Sequence, residues 1–324
     1  MKAAIRFLPS ACLLLALAGP LLAPHYQTQM AFLWLMIVLA LTWDLLGGQM
    51  GYNSFGNVLF FGIGTYACVL VQRDSGLGYF AGLGVGMSCG ALLAVAAAAL
   101  AGFGLLGLRG HYFAIGTLGI GVAAGEFAGS WEFVGAGGGL VPPLFPGAVG
   151  GRERFFCYLL LAIMVVTFLF LRWLYAGRFG LVINAIRDDE DKAEAMGLRT
   201  TRYKTLAWCV SAFFLGLTGG AVGNLIGFVD PREVAFAGST YGVWMVLMAI
   251  LGGKGTLWGP VLGAVIFHVT KELFWTYLLG WQRVALGLLI VVIVVFFPVG
   301  ILGWMRERRP AWFEQGDASP EIEG

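Results

Sequence analysis

The chain has 324 residues, of which 59% are hydrophobic and 12% charged, with a net charge of +2 and a mean hydropathy of +0.84. Soluble domains carry roughly 25% charged residues, so the composition excludes an ordinary soluble protein and describes a polytopic membrane protein. With so little net charge and no basic stripe outside the loop ends, it also excludes a nucleic-acid partner.

A crossing needs about 20 apolar residues, and about ten runs approach that length. The expected fold is therefore all-α and polytopic, with about nine or ten transmembrane helices, some of them broken or re-entrant. Residues 8–23 follow Lys2 and Arg6 and read as an uncleaved N-terminal helix within segment 1–28. Ala16-Leu17-Ala18 also gives this run the shape of a cleavable signal peptide. The next runs are 30–46, 55–72, 79–104, 111–131, 155–174, 206–228, 234–251, 257–270 and 283–304, inside a membrane domain spanning 29–306. Residues 307–324 carry Glu314, Asp317, Glu321 and Glu323 and read as a disordered cytoplasmic tail. Alternating from a cytoplasmic N-terminus places 14 of the 20 Lys and Arg residues inside. The positive-inside rule supports that orientation, with both termini cytoplasmic.

Glycines repeat every fourth residue at Gly82, Gly86 and Gly90, at Gly121, Gly125 and Gly129, and at Gly219, Gly223 and Gly227. Such stripes let helix backbones approach closely, where the hydrophobic effect gives no drive between helices. They predict tight packing, and alternatively a gliding surface. Two glycine-rich interruptions, Gly47 to Asn57 and Gly252 to Thr256, read as ordinary turns or as broken helices that line a solute path, since non-helical backbone at membrane depth needs protein or water to satisfy it. Asn53, Ser54 and Asn57 are the polar pathway candidates there. Residues 132–154, with Gly137-Gly138-Gly139 and Pro142-Pro143, form an irregular outer loop suited to an extracytoplasmic partner.

No catalytic constellation stands out. Gly62-Ile63-Gly64-Thr65-Tyr66-Ala67 imitates a dinucleotide fingerprint without a βαβ unit around it. Gly252 to Thr256 lacks the spacing of a phosphate loop, so no nucleotide hydrolysis is expected of this chain. His25, His111 and His268 are scattered, and no metal site or cofactor is expected. The cysteines Cys12, Cys68, Cys89, Cys157 and Cys209 all lie in apolar runs and read as packing residues. Glu126 is the one candidate intramembrane carboxylate, with a pathway role or a structural hydrogen bond as the alternatives.

The long polar segment is 177–204. Asp188 and Asp189 can cap a short helix and Gly197 can end it in the left-handed conformation, which predicts a two-turn helix over 189–196. Acidic residues surround a small apolar face of Ala193, Met196 and Leu198. So short a helix is marginal alone and is expected to be held by a partner. Thr200 or Thr201 can start the next membrane helix.

Asn184 to Leu198, NAIRDDEDKAEAMGL, resembles the EAA-type cytoplasmic loop of ABC importer permeases, in the form carried by branched-chain amino acid permeases of the LivM type. Gly51-Tyr52-Asn53-Ser54-Phe55-Gly56-Asn57 ahead of Phe60 to Tyr66, and Leu251 to Thr256 ahead of Gly259-Pro260, agree in order and spacing. Gly137 to Leu140 with Pro142 is similar to a family loop more loosely. Asn57 stands where the family often has His, and Val134-Gly135-Ala136 where polar residues are common. The resemblance implies a bacterial inner-membrane permease subunit paired with a second, LivH-like permease, two cytoplasmic ATPases and a soluble substrate-binding protein, with membrane lipid around it. It implies that Ile186, Arg187, Asp188, Asp189, Ala193, Glu194, Met196, Gly197 and Leu198 form the ATPase-coupling element. The rival reading is an autonomous channel or secondary carrier for a small solute such as urea or an amide.

Overall fold

A computed structural model describes residues 16–147, 150–296 and 300–308. The start of the expected first helix and the tail from residue 309 onward lie outside the described residues. Among the described residues the chain is all-α, and its β pairing is one isolated antiparallel bridge between Leu140 and Val229. The helices that matter here are α1 (Gln27–Gly47), α2 (Val58–Asp74), α3 (Tyr79–Leu105), α4 (His111–Ser130), α5 (Gly151–Ala176), α6 (Arg178–Asp188), α7 (Glu190–Ala195), α8 (Thr200–Ile226), α9 (Val243–Gly252), α10 (Trp258–Tyr277), α11 (Gln282–Phe296) and α12 (Gly300–Arg308). Among the described residues six helical stretches are long and apolar enough to cross a membrane: Pro24–Gly47, Tyr79–Leu105, His111–Ser130, Gly151–Ala176, Thr200–Ile226 and Pro231–Gly252.

α1 is apolar all round, and every residue from Leu35 to Gly47 is buried, as expected of a helix at the centre of a bundle. α2, α3 and α8 pack around one another through their glycines. A Cβ on Gly86 would lie 2.8 Å from the Cys68 carbonyl oxygen, one on Gly90 2.9 Å from that of Gly64, and one on Gly216 2.8 Å from the Ala91 Cα. The backbones touch, and no side chain fits between them. Leu100, Phe103, Ile115, Trp173 and Leu288 point outward, giving the bundle an apolar coat for lipid.

Two local expectations change. Gly227 does not continue the α8 stripe: its φ is +79° and it ends the helix in the left-handed conformation, which glycine adopts without steric cost. The expected crossing 234–251 is interrupted, with π-helical turns at Pro231–Ala235 and Gly238–Gly242 before α9 begins. Asp230 stabilises the first of these turns, its side chain accepting from the backbone N–H groups of Arg232 (2.8 Å) and Glu233 (2.6 Å).

The connections gather at two ends. At one end, Tyr52, Leu106, Arg109, the 177–199 segment and Gly255 meet. At the other, Leu140 pairs with Val229, Arg73 lies over the Phe133 ring and Arg232 pairs with Glu126. Loops that the charge pattern assigns to one side lie together.

Candidate functional site

The polar segment folds as a helical hairpin foot. α6 turns at Asp189, whose extended backbone and side chain cap α7: its carboxylate accepts from the Lys192 N–H at 3.1 Å. That bond holds the half-buried Asp189 carboxyl below its usual range. At the far end the Leu198 N–H donates to the Ala193 carbonyl at 3.1 Å and the Gly197 N–H to that of Glu194 at 2.8 Å. Gly197 has φ +86°. These crossed bonds form a Schellman cap, which only a residue at ease in the left-handed region closes cheaply.

The cap decides which side chains face out. Ala193 is 2% exposed and packed in the chain's own core, Leu198 rests against that core, and Met196 is 82% exposed. The apolar face expected for a partner is therefore divided, with Met196 alone fully presented. Ile186 is buried, while Arg187, Asp188, Glu194 and Gly197 are at the surface and Asp189 is half-buried. Arg187 pairs with Asp188 at 3.1 Å and lies against Gly51 and Gly255.

α7 is also held from within. Lys204 is 3% exposed and lies one turn inside α8. Its ammonium donates to Glu190 Oε1 at 2.6 Å, to the Leu106 carbonyl at 2.8 Å and to the Tyr52 hydroxyl at 3.1 Å. A lysine has three N–H donors, and all three are used. The Tyr52 hydroxyl in turn donates to Glu190 Oε2, closing a ring of three side chains. Arg109 adds a 2.7 Å bond to Asp191 and stands 3.6 Å from Glu190. Burial raises the Glu190 pKa, but the hydrogen bonds from Lys204 and Tyr52 and the adjacent positive charges outweigh it, leaving the carboxyl below its usual value. Tyr52, Arg109, Glu190 and Lys204 are not in the sequence-derived set. The sequence carried no local signal for them: Lys204 closes the polar segment 177–204 behind Arg199 and Arg202 and reads as one more loop-end charge, and only the folded chain buries it.

The two glycine-rich interruptions meet beside this foot. Asp44, buried at the end of α1, accepts from the Gly255 N–H at 2.8 Å. A Cβ on Gly48 would collide with the same carboxylate. The interruptions thus form one joined element, with the Asp44 carboxylate serving backbone that leaves helical geometry.

Of the pathway candidates, Asn53 is exposed, whereas Ser54 and Asn57 are fully buried. The Ser54 carbonyl accepts from the Trp43 indole at 2.6 Å and Asn57 Oδ1 from the Trp208 indole at 3.2 Å. The Ser54 hydroxyl and the Asn57 Nδ2 have no protein partner, two polar groups facing inward at the entrance of α2. Glu126 is not brought to them: it lies at the opposite end, in a 2.6 Å ion pair with Arg232.

The family described as "Branched-chain amino acid transport system / permease component" matches residues 28–296. The chain is 30% identical to the high-affinity branched-chain amino acid transport system permease protein LivM of Escherichia coli K12, over 92% of this chain and 75% of that protein. It is 30% identical to the LivH permease of Salmonella typhimurium over 50% of this chain and 55% of that protein, and 26% identical to a probable LivM permease of Methanocaldococcus jannaschii over 76% and 78%. No solved structure matches significantly. A capped foot rooted in a glycine-packed helical bundle, and a family match over most of its length, lead to one conclusion: the chain belongs to the permease components of branched-chain amino acid ABC transport systems.

Proposed function

We propose that the chain works in the bacterial inner membrane beside a LivH-like permease, two cytoplasmic ATPase subunits and an extracytoplasmic substrate-binding protein, and that it carries branched-chain or closely related amino acids. The end bearing α7 faces the cytoplasm, which agrees with the concentration of basic residues there. α7 docks on an ATPase, and the chain itself makes and breaks no covalent bond. The observation that carries this reading is the form of α7: capped at both ends, with Met196 and the acidic side chain of Asp191 presented outward beside Asp188 at the end of α6, while its other face is anchored in the bundle. The names of the relatives support the substrate class and the second permease.

Gly197→Pro tests the docking. Proline holds φ near −65° and has no N–H, so it can neither occupy a position with φ +86° nor donate to the Glu194 carbonyl. The variant is expected to insert normally and to lose co-purification of the ATPase. Undiminished co-purification refutes α7 as the docking element. Solute passage through the isolated chain in liposomes without nucleotide refutes the importer reading as a whole.

A further inference from the structure

The three-sided ring beneath α7 has a layout that anchoring alone does not require. Lys204 belongs to the first turns of α8, Glu190 to α7, Tyr52 to the glycine-rich segment that leads into α2, and the carbonyl on Lys204 to Leu106 at the end of α3. One buried ammonium therefore ties the foot to the three helices whose backbones touch through glycine. Each of its donors goes to a different piece of chain, and Glu190 uses one carboxylate oxygen for Lys204 and the other for Tyr52. With no donor spare, α7 cannot shift relative to α8 without breaking a buried charge-assisted bond, so the favourable response to a push on α7 is that the attached helix ends move with it.

We propose that Lys204, Glu190 and Tyr52 are the joint through which displacement of α7 reaches the transport path. They are positioning residues for transport: none touches solute or nucleotide, and the ring acts by moving the segment that carries Ser54 and Asn57 together with the inner ends of α3 and α8. This rests on the reading of α7 as the ATPase-docking helix and adds to it the route of transmission.

The test uses the assembled transporter in proteoliposomes, with ATPase, second permease and loaded binding protein, and reads solute carried per ATP hydrolysed. Tyr52→Phe removes one hydroxyl and leaves both charges and the aromatic ring in place. Glu190→Gln removes the charge and keeps an oxygen acceptor. Both variants are expected to retain the ATPase on purification, and solute per ATP is expected to fall by about tenfold for Glu190→Gln, with a smaller fall for Tyr52→Phe. A ring that only stabilises the fold lowers the amount of complex recovered but not the solute moved per ATP, so an unchanged ratio in Tyr52→Phe overturns the proposal, whatever the yield. If the unmodified chain fails to recruit the ATPase, the docking reading falls first; if it recruits and couples normally while both variants match it, the joint alone is wrong.

Discussion

The contact between α3 and α8 offers a test in which chemistry is held constant and geometry alone varies. Gly216→Ala and Gly84→Ala each add one methyl group to a membrane helix. At Gly216 the new carbon would lie 2.8 Å from the Ala91 Cα and 3.0 Å from both the Ala94 Cβ and the Gly90 carbonyl oxygen. Carbon atoms rest at about 3.5–4.0 Å, so α3 and α8 must part by roughly 0.7 Å or more, and two of the three obstacles are backbone that cannot rotate away. Overpacking of this kind costs about 1–3 kcal/mol, partly offset by alanine's helix preference of about 1 kcal/mol over glycine. At Gly84 nothing lies within 4 Å, so the preference acts alone and the variant is neutral or slightly more stable. Reversible unfolding in mixed micelles reads both. Equal effects of the two substitutions would refute close backbone packing as the basis of the α3–α8 contact.

Acid tests the ring. The folded Glu190 pKa lies below its ordinary value of 4.5, so its contribution to stability is complete above about 4.5 and is lost as pH falls through the lower folded value. Protease access to the 189–199 segment is expected to rise in that acid window, and Glu190→Gln is expected to abolish the transition; its persistence in that variant would assign it to another group. Asp44→Ala leaves the half-buried Gly255 N–H without its acceptor, a loss at the lower end of the about 1–3 kcal/mol that an unsatisfied buried donor costs. Thermal unfolding should show that loss, with new cleavage near Gly255. At the other end, Glu126 and Arg232 are both more than half exposed, and such pairs contribute at most about 1 kcal/mol. Glu126→Gln is expected to change stability little and transport little; a severe transport defect would restore Glu126 to the pathway.

Short-range devices were readable in the sequence. Asp189 and Gly197 bracket α7 because caps depend on residues three to five positions apart, and the membrane helices follow from the lengths of the apolar runs. The ring was not readable. Its hydrogen bonds join positions 98 and 152 residues apart, and nothing local in Tyr52 distinguishes a hydroxyl that meets a carboxylate from one that meets water. Ala193 shows the same limit: its spacing places it with Met196, but the Schellman turn brings Leu198 back over it and closes that face. Gly227 shows the reverse error, where a four-residue period continued past the point at which the backbone changes hand.

α8 is held at both of its ends. Lys204 fastens one, and three residues beyond its last turn Val229 exchanges two backbone bonds with Leu140, at 2.8 and 2.9 Å. Its 27 residues form a rod of about 40 Å, a length that exceeds the hydrocarbon thickness of about 30 Å. The two aqueous faces of the protein thus share one rigid member. With α7 docked on its partner as proposed, thermodynamic linkage works in both directions: whatever factor an outer ligand gains by favouring one placement of that rod, the partner at the foot gains equally from the ligand's presence. Under that proposal, affinity for the partner measured on one side of the membrane becomes a gauge of occupancy on the other.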